Sequence, residues 1–173
     1  MPTIIPTLET DRLILRAHRP DDFDAHARMW SDPDVTRFIG GTPFPRDQAW
    51  VRFLRIAGMW QVMGFGFWAV EKKASGELLG EVGFHELRRD LKPSLEGTLE
   101  AGWALRPAAH GKGFATEAVG AALVWGGDNF PDKRITCMID PENTASLRVA
   151  EKLGFREFAR TEFHGGPIIL LER

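Results

Sequence analysis

At 173 residues, 43% hydrophobic and 27% charged, the chain is long enough and apolar enough to bury a core without disulfides or a structural metal, and a single domain over 1–173 is expected. Its 22 basic and 24 acidic residues leave a net charge of −2 with no long run of either sign, which argues against a nucleic-acid partner. One cysteine, Cys137, excludes an internal disulfide and reads as a buried small hydrophobe, and the absence of tyrosine excludes any mechanism that needs a phenol.

The opening stretch Met1-Pro2-Thr3-Ile4-Ile5-Pro6 has no signal-peptide pattern, and no apolar run reaches the roughly 18 residues of a membrane span, so a cytoplasmic, non-membrane protein is expected. Leu13-Ile14-Leu15-Arg16 reads as a strand, and Arg19-Pro20-Asp21-Asp22 as the start of a helix with the stripe Phe23, Ala27, Trp30 that stops at Asp32-Pro33. A second helix follows Phe44-Pro45-Arg46-Asp47, with Trp50, Phe53, Leu54 and Ala57 on its apolar face. The period then shortens. Residues 67–70 and 78–84 form a hairpin, 88–94 a charged loop, and 98–105 a third strand ending at Arg106-Pro107. After Gly113, the set Ala115, Ala118, Val119, Ala122, Leu123, Gly126 is a clear helical stripe whose small residues allow close approach to a sheet. Residues 134–139 form a strand, a helix from Asn143 ends at Leu153-Gly154, and two strands near 157–163 and 168–172 close the chain.

Gly111 and Gly113 stand one residue apart between a strand and a helix. Glycine allows close backbone approach, the first turn of a helix leaves N–H groups without acceptors, and its dipole favours negative charge. With Lys112 between them, the segment reads as an anion site suited to a pyrophosphate, the alternative being a tight turn alone. The P-loop pattern fails, because Lys112 is followed by Gly113 and has no glycine at the required upstream place. The dinucleotide fingerprint fails at Thr116.

The run Gly111-Lys112-Gly113-Phe114-Ala115-Thr116-Glu117-Ala118 resembles the cofactor loop of the GNAT superfamily of N-acetyltransferases. Thr10-Asp11-Arg12-Leu13-Ile14-Leu15-Arg16, Glu100-Ala101-Gly102-Trp103 and the segment from Asn143 to Phe155 are similar to its RimJ/RimL-like branch, which includes ribosomal-protein N-terminal acetyltransferases. The resemblance implies an α+β (mixed α/β) fold in the order β1-α1-α2-β2-β3-β4-α3-β5-α4-β6-β7. Its twisted, mostly antiparallel sheet has about six to seven strands with helices on both faces. It implies direct transfer of an acetyl group from acetyl-CoA to a primary amine, either a protein or peptide N-terminus or a small molecule, with no metal, by a monomer or homodimer. A non-catalytic acyl-CoA-binding or anion-sensing module on the same fold is the alternative.

Residue by residue, His110, Gly113 and Ala115 fall on the family's Gln/Arg-x-x-Gly-x-Gly/Ala pattern, and His110 departs from it. Backbone groups of His110, Gly111, Lys112, Gly113, Phe114, Ala115 and Thr116 are implied to hold the coenzyme A pyrophosphate. Trp103, Ala104 and Leu105 are implied to line the pantetheine arm beside a splay between two strands. Asn143 reads as a helix N-cap, with Ser146 facing the sheet, and the resemblance makes both cofactor contacts and Ser146 a proton donor toward sulfur. Alternation puts Glu100 on one face with Thr98 and Gly102, where it is either a base acting through water or a structural ion pair, with Glu81 and His85 as alternative bases. Trp30, Phe38, Trp50, Phe65 and Trp68 either wall the acceptor site or pack the core.

Overall fold

The apolar alternation along the chain is realised in one eight-stranded sheet. A computed structural model describes residues 4–173; the first three residues of the N-terminal stretch lie outside it. The strands are β1 (Leu8–Glu9), β2 (Leu13–Arg16), β3 (Phe67–Lys72), β4 (Glu77–His85), β5 (Leu99–Leu105), β6 (Ile135–Ile139), β7 (Arg156–Phe163) and β8 (Gly166–Glu172), in the spatial order β1-β2-β3-β4-β5-β6-β8-β7. The helices are α1 (Phe23–Trp30), α2 (Pro33–Thr36), α3 (Arg46–Met63), α4 (Phe114–Asn129) and α5 (Thr144–Lys152). The α+β class and the predicted order hold, with two additions. Two residues, Leu8 and Glu9, pair with β2 as an eighth strand. Past Asp32 the chain does not leave helical geometry for long. Asp32 accepts a hydrogen bond from the Asp34 N–H, and Pro33 opens a further four-residue turn, a position where its missing N–H costs nothing.

Cross-strand register sorts the two faces of the sheet. β4 and β5 pair Val82 with Trp103, Gly83 with Gly102 and His85 with Glu100. Val82, Phe84, Leu99 and Ala101 therefore join the main core under α4, where a Cβ on Gly126 would lie 2.8 Å from the Phe84 ring. That distance is why the α4 stripe is built of small residues. Glu81, His85 and Glu100 point to the opposite face, beneath α1 and α3.

The buried stripe of α3 differs from the expected one. Ala49, Phe53, Ile56 and Trp60 are buried, while Trp50 is 42% and Leu54 52% exposed. Apolar residues occur on this helix at two overlapping helical spacings, and the sheet selects the one that brings Arg52 over β4.

All neighbouring strands run antiparallel except β5 and β6, which are parallel and joined through α4. Their pairing covers Leu99 with Ile135 and Glu100 with Thr136, and then stops, although β5 continues to Leu105 and β6 to Ile139. The two strands splay from there, leaving one edge of residues 101–105 without a strand partner.

Candidate active site

The splay opens into a cleft of about 200 Å³ that is open to solvent at its mouth. Trp103, Ala104, Asn143 and Ser146 line one part of it, and His85, Arg89 and Glu100 another. Asn143 caps α5 by accepting the Ser146 N–H at 3.1 Å, which orients the first turn of that helix. The Trp103 indole donates across the gap to Ser146 Oγ at 3.2 Å, so the Ser146 hydroxyl keeps its own proton for another acceptor. Leu105, at the end of β5, is buried and lies outside the cleft lining.

Beyond β5 the chain turns through the loop predicted to hold an anion. Gly111 and Gly113 have φ of +72° and +77°, which L side chains adopt only at a cost, and Gly113 is the N-cap of α4. The helix closes its first backbone bond from Glu117 N–H to Gly113 C=O, leaving the N–H groups of the first turn, Phe114, Ala115 and Thr116 among them, to an external acceptor. The two polar side chains of the loop turn back on the protein. His110 Nε2 meets the Leu105 carbonyl at 2.7 Å, and Lys112 Nζ donates to the Ala108 carbonyl at 2.8 Å.

A cation reaches the loop from the start of the chain. Arg12 donates to the Lys112 carbonyl at 2.9 Å and to Glu117 at 2.6 Å, stacks 4.4 Å above the Phe114 ring, and comes within 3.4 Å of the place a Cβ on Gly113 would take. Thr10 also donates to Glu117, at 2.6 Å. Burial raises the Glu117 carboxyl, but Thr10 and Arg12 outweigh it and hold the group below its usual range. The charge pattern alone gave Arg12 no role here; its only signal was membership of the N-terminal motif.

The opposite end of the cleft is built from paired buried charges. Glu100 is 3% exposed, with one oxygen 2.8 Å from His85 Nε2 and the other bonded to Arg89. Burial pushes its carboxyl up, and the charges and hydrogen bonds of His85 and Arg89 more than offset this, so the net shift is downward. A carboxylate only accepts, so the His85 Nε2 that faces Glu100 carries a proton, and only the neutral ring would present Nδ1 as a lone pair. One strand away, Glu81 lies 3.1 Å from His26 Nδ1, 3.7 Å from His18 Nε2 and 3.3 Å from Arg52. Burial again raises this carboxyl, and the two histidines with Arg52 drive it well below the carboxylate range. The trio His18, His26, Glu81 has the residue types of a metal site, but Arg52 already supplies the positive charge that this buried carboxylate needs.

The structure thus brings Trp103, Ala104, Asn143, Ser146 and Glu100 into one cleft and sets residues 110–116 at the N-terminus of α4. It splits the aromatic set: Trp30 and Phe38 line the cleft, Phe65 and Trp68 are core, and Trp50 is on the surface. Cys137 is buried; desolvation and then Glu100 raise its thiol, so it is no nucleophile. Among the described residues no helix is long and apolar enough to cross a membrane.

Comparison with known proteins gives the family and the fold. Residues 12–156 match the family model described as an acetyltransferase (GNAT) domain. The uncharacterized N-acetyltransferase p20 of Bacillus licheniformis is 32% identical over 157 residues, which cover 87% of this chain and 83% of p20. A GnaT-family acetyltransferase structure from Bordetella pertussis superposes with a TM-score of 0.86 at 36% identity, covering 98% of this chain and 99% of that one. The ribosomal L7/L12 N-terminal acetyltransferase RimL, solved with coenzyme A, shares the fold at a TM-score of 0.79 and 14% identity, over 97% of each chain.

Proposed function

The chain belongs to the GNAT acetyltransferases and transfers acetyl from acetyl-CoA to an amine; from this premise we propose that the β5–β6 splay receives the acyl thioester and that the His85–Glu100 pair takes the proton of a primary amine. The observation that carries the proposal is the single cleft. It runs from the open edge of β5 and Ser146 to a histidine held by a buried carboxylate.

The residues present suit the cofactor. The N–H groups after Gly113, beside Arg12, would take the pyrophosphate, and the free edge of Trp103 and Ala104 would take amide groups of the arm, while the Leu105 carbonyl is already met by His110. Acetyl-CoA supplies the activated acetyl group; the protein supplies position and proton handling. Glu100, with its carboxyl depressed and both oxygens engaged, suits orienting His85 better than collecting a proton through water. His85 Nδ1 then accepts the amine proton, directly or through water, as the N–C bond forms and the C–S bond breaks. A backbone N–H near Trp103 or Ala104 polarises the acetyl carbonyl, and Ser146 meets the departing sulfur. A protein or peptide N-terminus and a small amine both remain acceptors of this reading, and a cytoplasmic protein acting as monomer or homodimer fits it.

Thiol release from acetyl-CoA over a panel of primary amines tests the proposal. Wild type releases thiol, and His85→Ala lowers kcat about a hundredfold, the lower range for a general base. Ser146→Ala lowers it only a few-fold, since a thiol of pKa near 8.5 leaves tolerably without an acid. Tight acetyl-CoA binding without thiol release from any amine would establish the non-catalytic alternative. A His85→Ala enzyme with wild-type kcat would remove the base assignment alone.

A further inference from the structure

Glu100 is a buried carboxylate shared by two different donors. One oxygen meets His85 Nε2 at 2.8 Å and the other is bonded to Arg89, so the group bridges an imidazole and a guanidinium. The loop after β4 is shaped to deliver that guanidinium. Arg88 is held at φ +46°, a conformation that costs any residue with a side chain free energy, and the two successive arginines part there: the Arg88 side chain is 74% exposed and the Arg89 side chain 16%. Leu91 and Leu95, both buried, anchor the loop on the β7–β8 hairpin, where the Arg89 guanidinium lies 5.4 Å from the centre of the Phe163 ring.

The bridge bears on the proton of His85. A carboxylate beside a histidine favours the imidazolium, which has no lone pair and takes no proton from an amine. A second cation on the same carboxylate opposes this, by using up its charge and by repelling another positive group. Arginine does not give up its proton, so of the two partners of Glu100 only His85 can be the neutral one. The other groups around the ring do not replace Arg89. Arg52, Arg55 and Glu81 share a recess with His85, and Arg52 is paired with Glu81 there. Asp140 lines the cleft after β6, and Cys137, whose thiol is kept protonated by burial and then by Glu100, adds no charge. Among the described residues, none of these bonds to Glu100.

We propose that Arg89 is a positioning residue acting through Glu100: by occupying the second carboxylate oxygen it holds the His85 ring neutral near neutral pH, with Nδ1 free to take the amine proton. This rests on His85 as the base of the acetyl transfer described above, and it names what keeps that base ready.

The experiment follows wild type, Arg89→Met, Arg89→Gln and Arg89→Lys from about pH 5 to 9 by two measurements. One is the histidine ring NMR resonance that His85→Ala removes; the other is kcat for thiol release from acetyl-CoA with one primary amine, so that the titration of the amine is common to all four. In Arg89→Met the resonance and the acidic limb of kcat should both move to higher pH by about one unit, as expected for removal of a neighbouring charge. At pH values below the limb kcat should fall about tenfold, while the plateau above it and KM for acetyl-CoA stay within about threefold of wild type. Arg89→Lys should restore the wild-type position. Arg89→Gln, which keeps a donor to Glu100 without the charge, should shift as Arg89→Met does and serves where that variant does not fold. A folded Met or Gln variant that titrates as wild type overturns the proposal, and so does one that loses kcat by the same factor at every pH, which makes Arg89 structural. Wild type that releases no thiol fails the acetyl-transfer reading; the NMR series then decides on Arg89 alone, a shift supporting its hold on the ring and no shift overturning it.

Discussion

The turn into α4 and the cleft beside β5, as the proposed ligand sites, differ in what they offer. At the turn, main-chain N–H groups and two glycines face outward, while the local polar side chains, His110 and Lys112, bond to the protein's own carbonyls. At the proposed acceptor site, the backbone is already used in β4–β5 pairing, and recognition would fall to side chains from α1, α3, β4 and the loop after it. A main-chain site tolerates drift in most of its side chains but no change in its glycines. A side-chain site can be retuned one residue at a time, yet each residue is tied to a buried charge whose loss is felt by the whole fold.

The largest test of that contrast is Glu81→Gln. Removing one partner of a buried ion cluster costs about 3–5 kcal/mol, which should lower Tm by roughly 10 °C in a chain of this size. The sign with pH follows from the depressed Glu81 carboxyl. Its stabilisation is complete above the ordinary carboxylate range and is lost as pH falls through the lower folded value, so wild type should weaken steeply with acid and the variant less so. Melting curves from neutral to acid pH would check both, and a variant with wild-type slope would detach this cluster from acid stability.

Gly113→Val comes next. A β-branched residue at φ +77°, with its Cβ meeting Arg12 at 3.4 Å, should raise KM for acetyl-CoA about tenfold through backbone strain of ~1–2 kcal/mol. KM for the acceptor should not change. If the acceptor's KM rose as much, the two sites would not be separable.

The smallest expected effect is at Lys112, the cation most visible in the loop. Its ammonium is exposed and bonded to the Ala108 carbonyl, so Lys112→Ala should change KM for acetyl-CoA by less than about threefold, as for other exposed charges. A larger loss would show that the side chain swings to the ligand and that the site is not mainly a main-chain one.

The same contrast explains what could be read in advance. The α4 loop was legible because glycines at fixed spacing before a small-residue helix are a local pattern, and Asn143 with Ser146 is a local cap. The direct pairing of His85 with Glu100 was not, because the register of β5 against β4 depends on how the long segment between them closes. Arg52 and Arg89 were hidden for another reason: arginine on a helix or in a charged loop is usually solvated, and nothing nearby marks these two as turned inward. On α3, Trp50 and Leu54 fit a helical stripe as well as Phe53 and Ile56 do, so periodicity alone could not choose between them.

Arg12 has a consequence of its own. It is more than a hundred positions from Glu117, yet it and Thr10 hold that carboxylate and brace the turn into α4. Were α4 and its glycine turn to form alone, the negative Glu117 would stand uncompensated one turn from the phosphate groups, opposing the helix dipole's attraction. The opening strands must be docked before the loop is electrically ready. With the pyrophosphate bound at residue 113 as proposed, its affinity would report on whether the far end of the chain is in place, and loosening residues 8–16 should be felt first as weaker acetyl-CoA binding, before any loss of secondary structure.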